Sequence, residues 1–196
     1  MLDKETRERI ITLIHKEVVP AMGCTEPIAV ALCTAKATEL LYSKPEKICV
    51  KLSANVLKNA MGVGIPGTGM IGLPIALALG TLIGKSEYQL EVLKDLTPES
   101  LEEGKRYIEG KHIDISLKEN ISDKLYIEIT CTSGDKMSKA IIASSHTNFV
   151  YLEQNGNVLL DKRSGATAVT EDNDIMLNMQ MVHEFATTSP LYEIAF

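Results

Sequence analysis

At 196 residues, 45% hydrophobic and 23% charged, the chain is long enough to bury a core and too mixed for disorder, collagen or a dominant coiled coil. One domain, or at most two small ones, is expected. Twenty Lys and Arg against 26 Asp and Glu give a net charge of −6, which argues against a nucleic-acid partner.

Residues 4 to 19 place Ile10, Ile11, Ile14 and Val18 among Lys and Glu at helical spacing, which predicts an amphipathic helix rather than a secretory leader. Pro20 and Gly23 interrupt it. Thr25 as N-cap and Pro27 in the first turn then open a second helix over 26 to 43. Lys47 to Val56 alternates in period two and predicts a strand. From Asn59 to Gly84 no residue is charged. A membrane span needs about 20 apolar residues, and the glycines and Pro66 leave only Leu73 to Ile83 convincingly helical. The segment therefore reads as a Gly-rich loop entering a core helix, and no membrane partner is expected.

Two further helices are predicted over 85 to 96 and 98 to 109, the second capped by Thr97. Strands follow at 112 to 118, 124 to 132 and 137 to 144, then a hairpin from 148 to 161 turning at Asn155-Gly156. Residues 164 to 172 read as a polar loop and 173 to 186 as a short helix. Helices first and a mostly antiparallel sheet later predict an α+β fold. Residues 1 to 110 form its mainly helical part, with one strand, 111 to 165 its β-rich part, and 166 to 196 a lead-in to further sequence.

Four constellations could carry chemistry. Gly62 to Gly67 satisfies G-x-G-x-x-G, but it lacks the strand–turn–helix setting and the acid about 20 positions on that a dinucleotide fold requires. A P-loop ending at Gly84-Lys85-Ser86 fails because Leu79 stands where its first Gly belongs. Gly67-Thr68-Gly69 either permits close backbone packing or bares amides for an anion such as a carboxylate. Cys24, just before a helix, sits where the dipole favours thiolate, hence metal ligation or nucleophilicity. Cys33, Cys49 and Cys131 lie in apolar segments and read as small core residues, all four being free thiols of a cytoplasmic protein. Ser144-Ser145-His146-Thr147 offers an acid, base or anion holder, or a structurally satisfied histidine. Asn55-Val56-Leu57-Lys58-Asn59 either caps backbone or binds substrate.

Taken together, Pro20-Ala21-Met22-Gly23-Cys24-Thr25-Glu26-Pro27-Ile28-Ala29, Asn55 to Asn59 and Val63 to Gly69 resemble the L-cysteine desulfidase family, related to the alpha chain of iron–sulfur L-serine dehydratases. The resemblance implies that this chain matches about the first half of a family member. It also implies a [4Fe–4S] cluster with one open iron, one of its three Cys ligands matching Cys24 and the other two lying beyond this chain. The implied reaction is a lyase elimination: a base removes the α-proton of L-cysteine, sulfide leaves, and the enamine hydrolyses to pyruvate and ammonia. On this reading Lys58 and the Gly67 and Gly69 amides hold the substrate carboxylate and His146 moves a proton. Asn55, Asn59, Thr68, Ser145 and Thr147 line the site. The 196-residue chain alone is expected to be inactive. An iron–sulfur L-serine dehydratase and a non-catalytic amino-acid-binding or regulatory domain are the alternatives. A homo-oligomer remains open, through the apolar segment around Met176, Leu177, Met179 and Met181.

Overall fold

A computed structural model describes residues 2–163 and 175–194. Cα packing divides the chain into two units, Ala21–Ser164 and Met1–Pro20 with Gly165–Phe196.

The larger unit is α+β. Helix α2 (Thr25–Leu41) is buried almost all round, from Pro27 to Ala35 without a break. A helix with no polar face must be covered on every side. Here α2 packs on one side against a six-stranded sheet and on the other against α4 (Leu73–Leu82). The sheet comprises β1 (Lys47–Leu52), β4 (Ile113–Leu117), β5 (Tyr126–Ser133), β6 (Lys136–Ala143), β7 (Phe149–Gln154) and β8 (Asn157–Asp161). Its order is β4-β1-β5-β6-β7-β8. Among the described residues only β1 and β4 pair in parallel, with Val50 opposite Ile115. Ile48, Val50, Leu52, Ile127, Ile129, Cys131, Ala140 and Ile142 are fully buried, in the period-two pattern of a sheet with one covered face.

Helix α5 (Pro98–Glu109) carries the expected Thr97 cap, with Thr97 and Ser100 satisfying each other's backbone amides. It packs on α4 through Gly104, where a Cβ would stand 3.2 Å from Ile75 and Leu79. Among the described residues no helix is long and apolar enough to cross a membrane.

Several boundaries differ from expectation. The strand predicted to Val56 stops at Leu52, because Ser53 turns the chain into α3 (Ala54–Ala60). Its hydroxyl donates to the Lys124 carbonyl at 2.8 Å and accepts from the Val56 amide. The helix predicted over 85 to 96 is instead a 3₁₀ segment, Ser86–Glu91, broken at Gln89 (φ 51°, ψ −126°). Here the Glu39 carboxylate, accepting from the Ser86 amide (2.7 Å) and hydroxyl (2.6 Å), and burial of Leu90, Val92 and Leu93 override local helix preference. Cys24, not Thr25, holds the N-cap position of α2. Cys49 is half-buried rather than a core residue, whereas Cys33 and Cys131 are buried.

In the smaller unit, α1 (Lys4–Glu17) is capped by Asp3 and α6 (Met179–Thr188) by Asn178. Arg7 bonds Glu193 at 2.8 Å and lies over the Phe185 ring, while Ile10 and Phe185 are buried. The last helix thus begins at Met179 rather than 173. The loop predicted over 164 to 172 lies outside the described residues.

Candidate functional site

The loop before α2 is held from two sides. The Met22 amide donates to the Leu90 carbonyl at 3.0 Å. Gly23 adopts φ +80°, and a Cβ there would stand 2.7 Å from the Pro66 ring. Only glycine fits both the left-handed backbone and that contact. Pro66 belongs to a small hairpin, β2 (Gly64–Ile65) paired with β3 (Met70–Ile71), so the two sequence motifs meet at Gly23.

Cys24, fixed in this way, sits half-buried at the head of α2. Its thiol donates to Glu26 Oε2 at 3.1 Å, and the Asn59 side-chain amide donates to Glu26 Oε1 at 3.1 Å. Thr25 adds a longer contact of 3.4 Å to Glu26 Oε2. The Glu26 carboxyl is held below its ordinary range, first by the Cys24 thiol, then by backbone and Asn59 donors, with His146 adding an electrostatic pull. Burial works against that shift. The Cys24 thiol is pushed up, by burial first and then by the Glu26 carboxylate that accepts its hydrogen bond. Burial first, and then the carboxylate two residues away, work against the pull of the helix dipole on the Cys24 thiol.

Replacing Glu26 by Gln removes that anion, so the thiol's titration should move down and its alkylation by iodoacetamide at pH 8 should accelerate about three- to tenfold. An unchanged rate would show that Glu26 does not control the sulfur.

The other expected site residues are distributed unevenly. Asn59 joins Cys24 at Glu26 through its side-chain amide, while His146 is linked to Glu26 only by a weaker electrostatic pull. Lys58 is exposed in the last turn of α3. Gly67 (φ 78°) and Gly69 (φ 64°) form the exposed hairpin tip. Thr68 between them is buried; its hydroxyl donates to the Ile65 carbonyl at 2.7 Å and accepts from the Met70 amide at 3.0 Å, so it closes the turn. Asn55 is exposed and lines a different feature, a cleft of about 510 Å³ formed with Ser53 and residues 117 to 124.

Ser145 and Thr147 sit in the β6–β7 connection with His146. There the Ser145 amide donates to the Ala143 carbonyl at 2.9 Å across Ser144, whose φ is +70°. This is a γ-turn of the rare, strained hand. Asn148 also donates to that carbonyl at 3.0 Å and helps hold the turn.

Glu26 is the residue that sequence reasoning missed as a site member. Its only signal was a carboxylate two positions from a cysteine at a helix start. Burial pushes Cys33 well up and Cys131 up to about 12, the behaviour of inert core thiols. Among the described residues no group of three His, Cys, Asp or Glu is placed to hold a metal ion.

Over all 196 residues the chain is 62% identical to a protein of Phocaeicola vulgatus and to one of Bacteroides thetaiotaomicron, each a UPF0597 protein. Its relatives are UPF0597 proteins. A more distant UPF0597 protein, from Photobacterium profundum, is 41% identical over 189 residues, 95% of this chain. The match takes in 46% of each of the first two UPF0597 relatives and 44% of the third, so the chain spans less than half their length. No family model and no solved structure matches the chain.

Proposed function

We propose that this chain is the part of a carbon–sulfur lyase, of the L-cysteine desulfidase kind, that supplies one cysteine ligand to a [4Fe–4S] cluster. The observation that carries the reading is the placement of Cys24. A single half-buried thiol stands at a helix N-cap, with a carboxylate at 3.1 Å to accept its hydrogen bond and a glycine hairpin packed beside it.

The donor set fits one corner of such a cluster. Cys24 would be its ligand here, and the remaining cysteines would come from the part of the full-length protein that this chain does not match. When bound, the cluster supplies an open iron acting as a Lewis acid toward the departing sulfur. Glu26 Oε2 accepts the Cys24 Sγ hydrogen bond and so orients the sulfur, whose proton would leave to solvent on ligation. Asn59 keeps Glu26 turned toward the sulfur. The exposed Lys58 ammonium holds the substrate carboxylate with the amides at Gly67 and Gly69, and His146 moves a proton.

The test uses a full-length hybrid in which this chain replaces the matched region of the Phocaeicola vulgatus relative, reconstituted anaerobically with iron and sulfide. Pyruvate and sulfide should appear in equal amounts from L-cysteine. Pyruvate from L-serine instead would identify the dehydratase, and no product from either would reject the lyase. In the same hybrid Lys58→Ala should raise KM for L-cysteine about tenfold or more, as loss of a charged carboxylate contact does; an unchanged KM would remove Lys58.

A second reading, an amino-acid-binding module, is favoured by the cleft beside Asn55, which contains none of the Cys24 cluster. Calorimetric titration of the 196-residue chain with L-cysteine and L-serine separates it from the first, which requires no binding there.

A further inference from the structure

We propose that β8 is built as an interior strand of a larger sheet, completed by a strand from the part of the UPF0597 proteins that this chain does not match. The inference is independent of the chemistry proposed above. Strand β8 lies at one end of the sheet, and among the described residues no strand pairs with its outer side. Its centre is Val158-Leu159-Leu160, of which Val158 is 50% and Leu159 48% exposed.

The register explains why this is unusual. Leu160 lies opposite Leu152, a residue packed against the core, whereas Val158 lies opposite Glu153 and so faces the other side of the sheet. Leu159 is the extra residue of a bulge between them. The strand is therefore apolar toward both faces. The edge strand at the other end, β4, behaves differently. Ile113 and Ile115 pack on the core, while Asp114 and Ser116 are exposed, the alternation of a strand with one wet face; the terminal Leu117, 48% exposed, falls on the core side of that alternation.

Continuous apolar runs are typical of strands covered on both faces. Residues 157 to 161 carry neither lysine nor proline, so only the bulge and the charge of Asp161 at the strand's end protect the edge. More than half of each UPF0597 relative lies outside the matched region, which supplies the length for a covering strand. A strand added there would pair its backbone with the open side of β8 and cover Val158 and Leu159 with apolar side chains.

The test is hydrogen–deuterium exchange, followed by mass spectrometry, on this chain at two concentrations and on the full-length Phocaeicola vulgatus relative. The peptide spanning 157 to 161 should exchange about 100-fold faster in this chain than the aligned peptide does in the relative, because a free edge opens locally and a paired strand does not. Its rate in this chain should not depend on concentration. In the relative, lysine at the position aligned with Leu159 should accelerate exchange of that peptide while the one aligned with β5 stays slow. Equally fast exchange of the aligned peptide in the unmodified relative would overturn the proposal. So would protection of 157 to 161 that grows with this chain's own concentration, which would assign the edge to a second copy. The comparison of unmodified proteins decides even where the lysine variant fails to fold.

Discussion

In the full-length hybrid, Cys24→Ala is expected to cut sulfide release from L-cysteine by about 1000-fold, equivalent to losing about 4 kcal/mol of Lewis-acid stabilisation. Among the described residues no other cysteine is placed at the head of α2 to replace the sulfur. Cys33 is fully buried and donates toward the Ala140 and Ile127 carbonyls, and Cys131 is fully buried as well. Cys49 is half-buried on β1, so Cys49→Ser serves as the control and should retain activity within about twofold, as substitutions away from a site usually do. A parallel loss in both variants would mean that folding, not ligation, had been damaged. A Cys24→Ala variant with ordinary turnover would remove the thiol from the mechanism.

The largest structural effect is expected at Gly80. An added Cβ would stand 2.6 Å from the Ala31 carbonyl oxygen and 3.1 Å from its Cα, so α4 and α2 touch backbone to backbone there. In an exposed helix, Gly→Ala would gain about 1 kcal/mol. Here the clash is with the main chain of a buried helix, which cannot swing aside. Overpacking of this kind costs about 1–3 kcal/mol and more where the neighbour is rigid, so Gly80→Ala should lower stability by about 2 kcal/mol or more. Gly62, with nothing within 4 Å of its would-be Cβ, is the contrast. Gly62→Ala should change stability by less than about 0.5 kcal/mol. Urea unfolding of the two variants tests both, and equal midpoints would contradict the close helix packing.

Residues with strong local signals were legible in the sequence. Thr97-Pro98 opened α5, Asn155-Gly156 turned the last hairpin, and the switch to period two after Gly110 announced the sheet. Elements fixed by distant partners were not. Helix α3 has 7 residues, too few for a 3.6-residue period to stand out, and starts only because Ser53 is tied to Lys124. Ser86–Glu91 fails to become a helix because Glu39, 47 positions away, captures both the amide and the hydroxyl of Ser86. The site follows the same division. Cys24 and the glycine hairpin stood out by their neighbours in sequence. The role of Glu26 depends on Asn59, 33 positions on. Thr68 stood out in the motif, yet its hydroxyl is spent inside the hairpin.

Iron retention decides the account most directly. After anaerobic reconstitution and desalting, the full-length hybrid should carry four irons and four sulfides per chain with a broad visible absorption, the signature of a cubane held by cysteine thiolates. Its Cys24→Ser form should lose most of both, while Cys49→Ser keeps them. A Cys24→Ser hybrid that retained the full complement of iron and sulfide would contradict the assignment of this sulfur as a cluster ligand.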